Sequence, residues 1–276
     1  MSSLPPPPLP PPPVIEYCYR HPTRETGRKC TRCGKPACGD CLVQVSVGSH
    51  CLDCVKAARP DVKTRARFWN ARQPTLVTYA LIAINAVVYF WTASAPRNEV
   101  KLALYKPFIA DGEYYRLVTS GFLHFSIFHI GMNMLLLFQL GQLLEPAIGR
   151  VRFGLLYFAA LLAGSLGALM VQPFGLTGGA SGAVFGLMAA AAIGMHRRGV
   201  NIFQTGIGMV LVLNLVLTFT IPGISIGGHV GGAIAGALCG FVLLAPRHAP
   251  LPNWASYAMP VGIIIVAVMG SLAIAA

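Results

Sequence analysis

The chain has 276 residues, of which 55% are hydrophobic and only 11% charged, with a formal net charge of +12. A soluble domain is about a quarter charged, so this composition excludes an ordinary soluble globule and points to a membrane protein. The charge is concentrated at one end: residues 1–70 carry 11 Lys/Arg and 5 Asp/Glu, whereas the 206 residues from 71 onward carry 10 and 4. A small polar head therefore precedes a long apolar body.

The chain begins with a tail over 1–15 that is almost all proline between 4 and 13. Such a stretch favours extended polyproline and serves as a tether or spacer. It is not basic-then-apolar, so no signal peptide is expected. Four two-residue-gap pairs follow in 16–56: Cys18 with His21, Cys30 with Cys33, Cys38 with Cys41, and Cys51 with Cys54, the last preceded by His50. This gap lets both side chains of a pair reach one tetrahedral ion. The segment is too short and polar to build a core, so metal would supply its folding energy. Two structural zinc ions are expected. An interleaved arrangement puts Cys18, His21, Cys38 and Cys41 on one ion and Cys30, Cys33, Cys51 and Cys54 on the other, with His50 an alternative ligand. Disulfides are disfavoured on the cytoplasmic side. The segment resembles a B-box-type zinc finger, which implies contact with a cytoplasmic protein partner. Its basic residues (Arg20, Arg24, Arg28, Lys29, Arg32) have no other feature of a nucleic-acid binder beside them, and nucleic acid is not expected as a partner. A basic linker over 57–73 follows, suited to anionic headgroups of the bilayer.

The body contains seven apolar runs of spanning length, roughly 74–93, 117–143, 151–171, 178–196, 201–220, 225–245 and 257–276. Each must be helical, because lipid satisfies no free backbone group. The fold class is thus an all-α polytopic membrane protein with a small zinc-stabilised N-terminal module. The connection 94–116 is mildly apolar, with Leu102 and Leu104, and carries charges and aromatics, including Tyr105, Phe108 and Tyr115, and reads as a segment lying at the interface. Arg65, Arg67 and Arg72 precede the first span, Arg150 and Arg152 follow the second, Arg197 and Arg198 the fourth, and Arg247 the sixth. The loops 172–177 and 221–224 have no Lys or Arg. The positive-inside rule then places the N-terminus in the cytoplasm and the C-terminus outside.

This topology constrains the polar residues. Ser181 lies about three residues into the fourth span, roughly 5 Å deep at 1.5 Å per residue. His229 lies at a similar depth in the sixth, which runs in the same direction. In the second span His129 and Asn133 are four apart and share a face, and the positions of His124, Tyr115 and Arg116 push the start of the hydrocarbon core toward them. Polar groups at such depth are costly unless paired or used. Serine needs an adjacent base to act as a nucleophile, and His229 can supply it. No Asp or Glu occupies an outer half-span, so a dyad without an acidic third member is expected. Asn133, His129 and the backbone N–H of Ser181 are candidate oxyanion donors. Gly228, Gly232, Gly236 and Gly240 recur every fourth residue on the His229 helix, a small-residue face that permits close approach to the Ser181 helix. No cofactor is expected in the catalysis. Cys239, outside the head, reads as a small apolar residue.

The sequence around these positions resembles the rhomboid family of intramembrane serine proteases. The matching residues are Gly179-Ala180-Ser181-Gly182, Gly228-His229-Val230-Gly231-Gly232 with Gly236, and Phe122-Leu123-His124 followed by His129 to Met134. Tyr115-Arg116 is similar to a tryptophan-arginine pair, and Glu145 with Gly149-Arg150 to the turn after the second span. The resemblance covers about 74–245 and implies a six-helix core there, with 246–276 adding a loop and a seventh helix. It implies that Ser181 and His229 are the catalytic dyad, that His129 and Asn133 assist the oxyanion, and that His124 is structural or lines the cavity. It also implies that Phe185 packs on His229 where the family often has tyrosine, and that the fifth span is a lateral gate. The implied substrates are transmembrane proteins cut on the outer side of a bacterial-type cell membrane. Two rivals are a catalytically inactive relative that binds membrane proteins, which would normally lack Ser181 or His229, and a small transporter, which lacks the acidic residues expected beside its histidines.

Overall fold

Seven apolar runs without water to solvate their backbones should fold as seven helices, and the computed structural model has that form. It describes residues 15–45, 47–58, 74–95, 97–246 and 251–276. The proline-rich stretch, the linker residues Arg65, Arg67 and Arg72, and Arg247 lie outside them. The chain divides into two units, residues 1–69 and 70–276.

The first unit contains two short antiparallel ribbons. β1 (Tyr17–Cys18) pairs with β2 (His21–Glu25), and β3 (Leu42–Gln44) pairs with β4 (Ser49–Cys51), with Leu42 opposite Cys51. A short helix, α1 (Leu52–Ala57), follows. The interior consists of Ala37 and cysteines: Cys18, Cys30, Cys38, Cys41 and Cys51 are buried. This unit buries thiols where a larger domain would bury leucines.

In the second unit α2 (Leu76–Ala93), α6 (Ile127–Ile148), α7 (Arg150–Val171), α10 (Ile226–Leu243) and α11 (Ala255–Ala275) are long and apolar enough to cross a membrane. Two apolar helices are shorter: α8 (Ser181–His196) and α9 (Ile207–Thr220). Between α2 and α6 lie three short helices, α3 (Arg97–Leu102), α4 (Lys106–Ala110) and α5 (Arg116–Thr119). Phe153, Leu156, Tyr157, Leu187 and Met188 fill the centre. Val87, Phe90, Met209 and Val266 face outward, as expected of helices apolar on every side.

Three helix starts differ from the expected spans, each for a local reason. The second span was expected from 117, but the chain turns until Ser126, whose hydroxyl accepts from His129 N and starts α6. The fourth was expected from 178, but Gly179 has φ +132°, outside the helical region, and α8 begins at Ser181. The fifth was expected from 201, but Gly206 at φ +80° delays α9 to Ile207.

Lipid tails are as apolar as leucine, so helix packing here rests on close contact instead of the hydrophobic effect. The α10 helix lies against both α7 and α8 through glycine. A Cβ on Gly227 or Gly231 would fall 2.0 or 2.3 Å from the carbonyl oxygens of Gly167 and Ala163 on α7. On the adjacent face, a Cβ on Gly232 or Gly236 would fall 2.0 Å from the carbonyl oxygens of Gly182 and Gly186 on α8.

Two polar clusters hold the rest. The buried Glu145 carboxylate, late in α6, accepts from Val77 N (3.0 Å), Thr78 N (2.9 Å) and Thr78 Oγ1 (2.7 Å). It thereby satisfies free donors at the positive end of α2. Arg116, also buried, is the hub of the 97–116 segment. It donates to the carbonyls of Val100 and Ala103, pairs with Glu113 at 2.6 Å, and lies 4.2 Å above the Phe108 ring. Leu104 and Thr177 exchange backbone hydrogen bonds of 2.8 and 2.9 Å, which ties this segment to the strand-like stretch leading to Ser181.

Candidate active site and metal-ligand clusters

The late start of α8 makes Ser181 its first residue, so its backbone N–H has no intrahelical acceptor. His229 is the fourth residue of α10. The glycine contacts between these helices bring His229 Nε2 to 2.8 Å from Ser181 Oγ. The imidazole is held on its other sides as well. Its ring stacks on Phe185 with centroids 4.1 Å apart and planes 18° from parallel. Its Nδ1 lies 2.7 Å from Thr218 Oγ1, on α9.

The segment before Ser181 is bent toward α6. Gly179 N donates to Ser120 O at 2.8 Å, and a Cβ on Gly179 would fall 2.7 Å from His129 Nε2 and 3.6 Å from Ser181 Oγ. Glycine is required there by both its positive φ and this close approach. The His129 ring therefore sits beside the serine. The buried Asn133 donates one Nδ2 hydrogen to His129 O at 3.0 Å, leaving the second N–H of its amide. Ser181, His229, His129 and Asn133 together line a cavity of about 450 Å³. His124 is not among the residues lining it. Its Nδ1 lies 3.3 Å from Phe122 O and its Nε2 accepts from Ala180 N at 3.5 Å, so it fixes the turn into α8 from behind.

Thr218 is the residue that sequence reasoning missed. A threonine in an apolar helix usually bonds back to its own chain, and Thr218 does so, donating to Asn214 O at 2.7 Å. Its spacing of eleven residues from His229 matches no periodicity and crosses a turn. The only available signal was its position near the end of the fifth span, level with the start of the sixth.

The first unit brings together the two predicted metal-ligand sets. Cys18, His21, Cys38 and Cys41 form one group, and Cys30, Cys33, Cys51 and Cys54 the other, with each set of ligand atoms within 4.8 Å of one another. His50 belongs to neither. His21 Nδ1 lies 3.7, 3.3 and 3.4 Å from the sulfurs of Cys18, Cys38 and Cys41, and the sulfurs of Cys33 and Cys51 are 3.7 Å apart. Tetrahedral zinc with bonds of about 2.0–2.3 Å spaces its ligands about 3.5–3.8 Å apart, so both sets fit. All eight cysteines are free thiols. Burial would raise the Cys18 and Cys30 thiols, but backbone donors outweigh it and bring each down to about 6. Burial together with the neighbouring Cys18 and Cys38 raises Cys41 to about 11, and Cys33 together with burial raises Cys54 to about 12. In each set one thiol gives up its proton easily and another resists a second negative charge beside it, a cost that a bound dication would remove.

Fold and site define a class: a multi-pass helical membrane protein with a serine–histidine contact inside its bundle and an N-terminal unit whose two Cys/His clusters could hold metal. The chain carries a Rhomboid domain, matched over residues 111–246. It is 31% identical over 176 residues to the rhomboid protease GluP of Bacillus subtilis, an alignment covering 60% of this chain and 34% of that protein. It is 31% identical over 120 residues to rhomboid-like protease 3 of Toxoplasma gondii, covering 42% and 46%. It is 33% identical over 118 residues to the putative rhomboid protease YdcA of Bacillus subtilis, covering 41% and 58%. The chain thus spans between about a third and three fifths of the length of these relatives.

Proposed function

We propose that this chain is an intramembrane serine endopeptidase that hydrolyses peptide bonds in or near the transmembrane helices of membrane-protein substrates, using Ser181 as nucleophile and His229 as base. The 2.8 Å contact between His229 Nε2 and Ser181 Oγ is the observation that carries this reading. Ser181 gives its proton to Nε2 as it attacks the scissile carbonyl. The oxyanion meets the free N–H of Ser181, the second amide N–H of Asn133 and the His129 ring. The imidazolium then protonates the leaving amine, and water reaching the cavity is deprotonated by the same nitrogen to release the acyl group. A substrate helix must unwind locally first, since a helix hides its carbonyls.

In this reading 74–245 is the protease core, 246–276 adds a further helix, and 16–56 is a module with two structural zinc ions and a protein-binding role. Cleavage falls on the outer side, with the N-terminus cytoplasmic and the C-terminus outside, as the arginine distribution supports. Cleavage of a tagged single-span protein by the full chain in liposomes tests this. Ser181→Ala and His229→Ala are each expected to lose at least about a thousandfold in rate. Equal cleavage by wild type and Ser181→Ala overturns the proposal. Protease protection of the product ends reports the side of the cut.

A further inference from the structure

We infer that Thr218 is a positioning residue for His229, fixing the imidazole as the Nδ1–H tautomer so that Nε2 is the bare nitrogen facing Ser181. The inference rests on the dyad reading above. It follows from counting protons. The Thr218 hydroxyl has one hydrogen and two lone pairs. Its oxygen has two partners at 2.7 Å: the Asn214 carbonyl, which can only accept, and His229 Nδ1. If the hydroxyl hydrogen pointed at Nδ1, the carbonyl and hydroxyl oxygens would oppose lone pairs at 2.7 Å. Both contacts are satisfied only when Thr218 donates to Asn214 and accepts from Nδ1–H. A neutral imidazole carries one N–H, so Nε2 is then the acceptor, and Ser181 Oγ–H donates to it at 2.8 Å.

The position allows little other arrangement. Thr218 is 2% exposed, and it and Gly208 are the buried residues of α9. Phe185 stacked on the ring opposes a flip that would put carbon where each nitrogen stands. Among the described residues no carboxylate is bonded to His229, so a neutral hydroxyl does the orienting that a buried aspartate does in a triad. Because Thr218 belongs to α9, the orientation of the base and the position of that helix are linked.

The test uses the full chain in liposomes with a tagged single-span substrate. Thr218→Val keeps the branched shape and removes the hydroxyl; Thr218→Ser keeps the hydroxyl. Thr218→Val is expected to lower kcat about tenfold, the size of one neutral hydrogen bond, with KM within about twofold. Thr218→Ser is expected to recover most of the loss. Nitrogen-15 NMR of histidine-labelled protein, with His229 assigned by comparison with His229→Gln, is expected to show the Nδ1–H tautomer in wild type and a mixture in Thr218→Val. Ser181-dependent cleavage with unchanged kcat in Thr218→Val overturns the positioning role alone, as does an Nε2–H tautomer in wild type, a readout that does not depend on a Thr218 variant folding. A Thr218→Ser enzyme as slow as Thr218→Val also overturns it. Equal cleavage by wild type and Ser181→Ala overturns the dyad and this inference together.

Discussion

Asn133 and His129 are four residues apart on α6, yet they face the cavity differently. Asn133 has already committed one amide hydrogen to the carbonyl of His129, which fixes the plane of the amide and aims the other. Truncating Asn133 to Ala is expected to lower kcat about ten- to a hundredfold, at the weaker end of what an oxyanion donor contributes, with the fold unchanged by circular dichroism. Unchanged kcat would remove Asn133 from the site. The approach of Ser181 to His229 was legible in the sequence because both lie at one depth in spans running the same way, with glycine beside each to permit close packing. Asn133 and His129 were legible because a helix puts residues four apart on one face. Thr218 was not legible, since its contact crosses from one helix to the next and depends on where Gly206 lets α9 begin.

At the scale of elements, the glycine faces of α10 control whether the site assembles. Gly236→Ala places a methyl group against the Gly186 carbonyl, which backbone cannot evade cheaply. A cost of about 1–3 kcal/mol is expected, read as a lower thermal midpoint in detergent; an unchanged midpoint would show that α8 and α10 are not closely packed. The 97–116 segment has its own pH dependence. Tyr115 and Arg116 hydrogen-bond the Glu113 carboxylate and hold it below the usual carboxylate range. A group depressed in the folded state stabilises above its unfolded value, about 4.3 for Glu, and that contribution fades as pH falls through the folded value. Wild type should therefore unfold at a higher temperature than Glu113→Gln at neutral pH, with the two curves converging below about pH 4. Parallel curves would contradict this. The number and order of the seven apolar helices were readable from hydropathy, but the boundaries and the short helices of the 97–116 segment were not. Ser126, Gly179 and Gly206 set them by a cap and two backbone conformations that average hydropathy does not see.

The whole molecule combines two kinds of stability. The body rests on packed helices, whereas the N-terminal unit has an interior of Ala37 and cysteines. Purified, reduced protein is expected to hold two zinc ions per chain. A strong chelator should make residues 16–56 protease-sensitive while leaving the thermal midpoint of the body in place. Metal near zero in freshly purified protein would exclude the zinc assignment. The four pairs were legible because a two-residue gap lets both side chains reach one ion, but spacing does not decide which pairs share an ion; that His50 would stand outside both sets was not legible either, since β4 decides it by pairing His50 with Val43. The central claim is that His229 activates Ser181. Its most direct test is covalent: a phosphonofluoridate reacts with an activated serine and not with an ordinary one. Incubation of the purified chain followed by peptide mapping should place one adduct on Ser181 in wild type and none in His229→Ala. An adduct absent from Ser181 in protein that cleaves its substrate, or equal labelling in His229→Ala, would contradict the account.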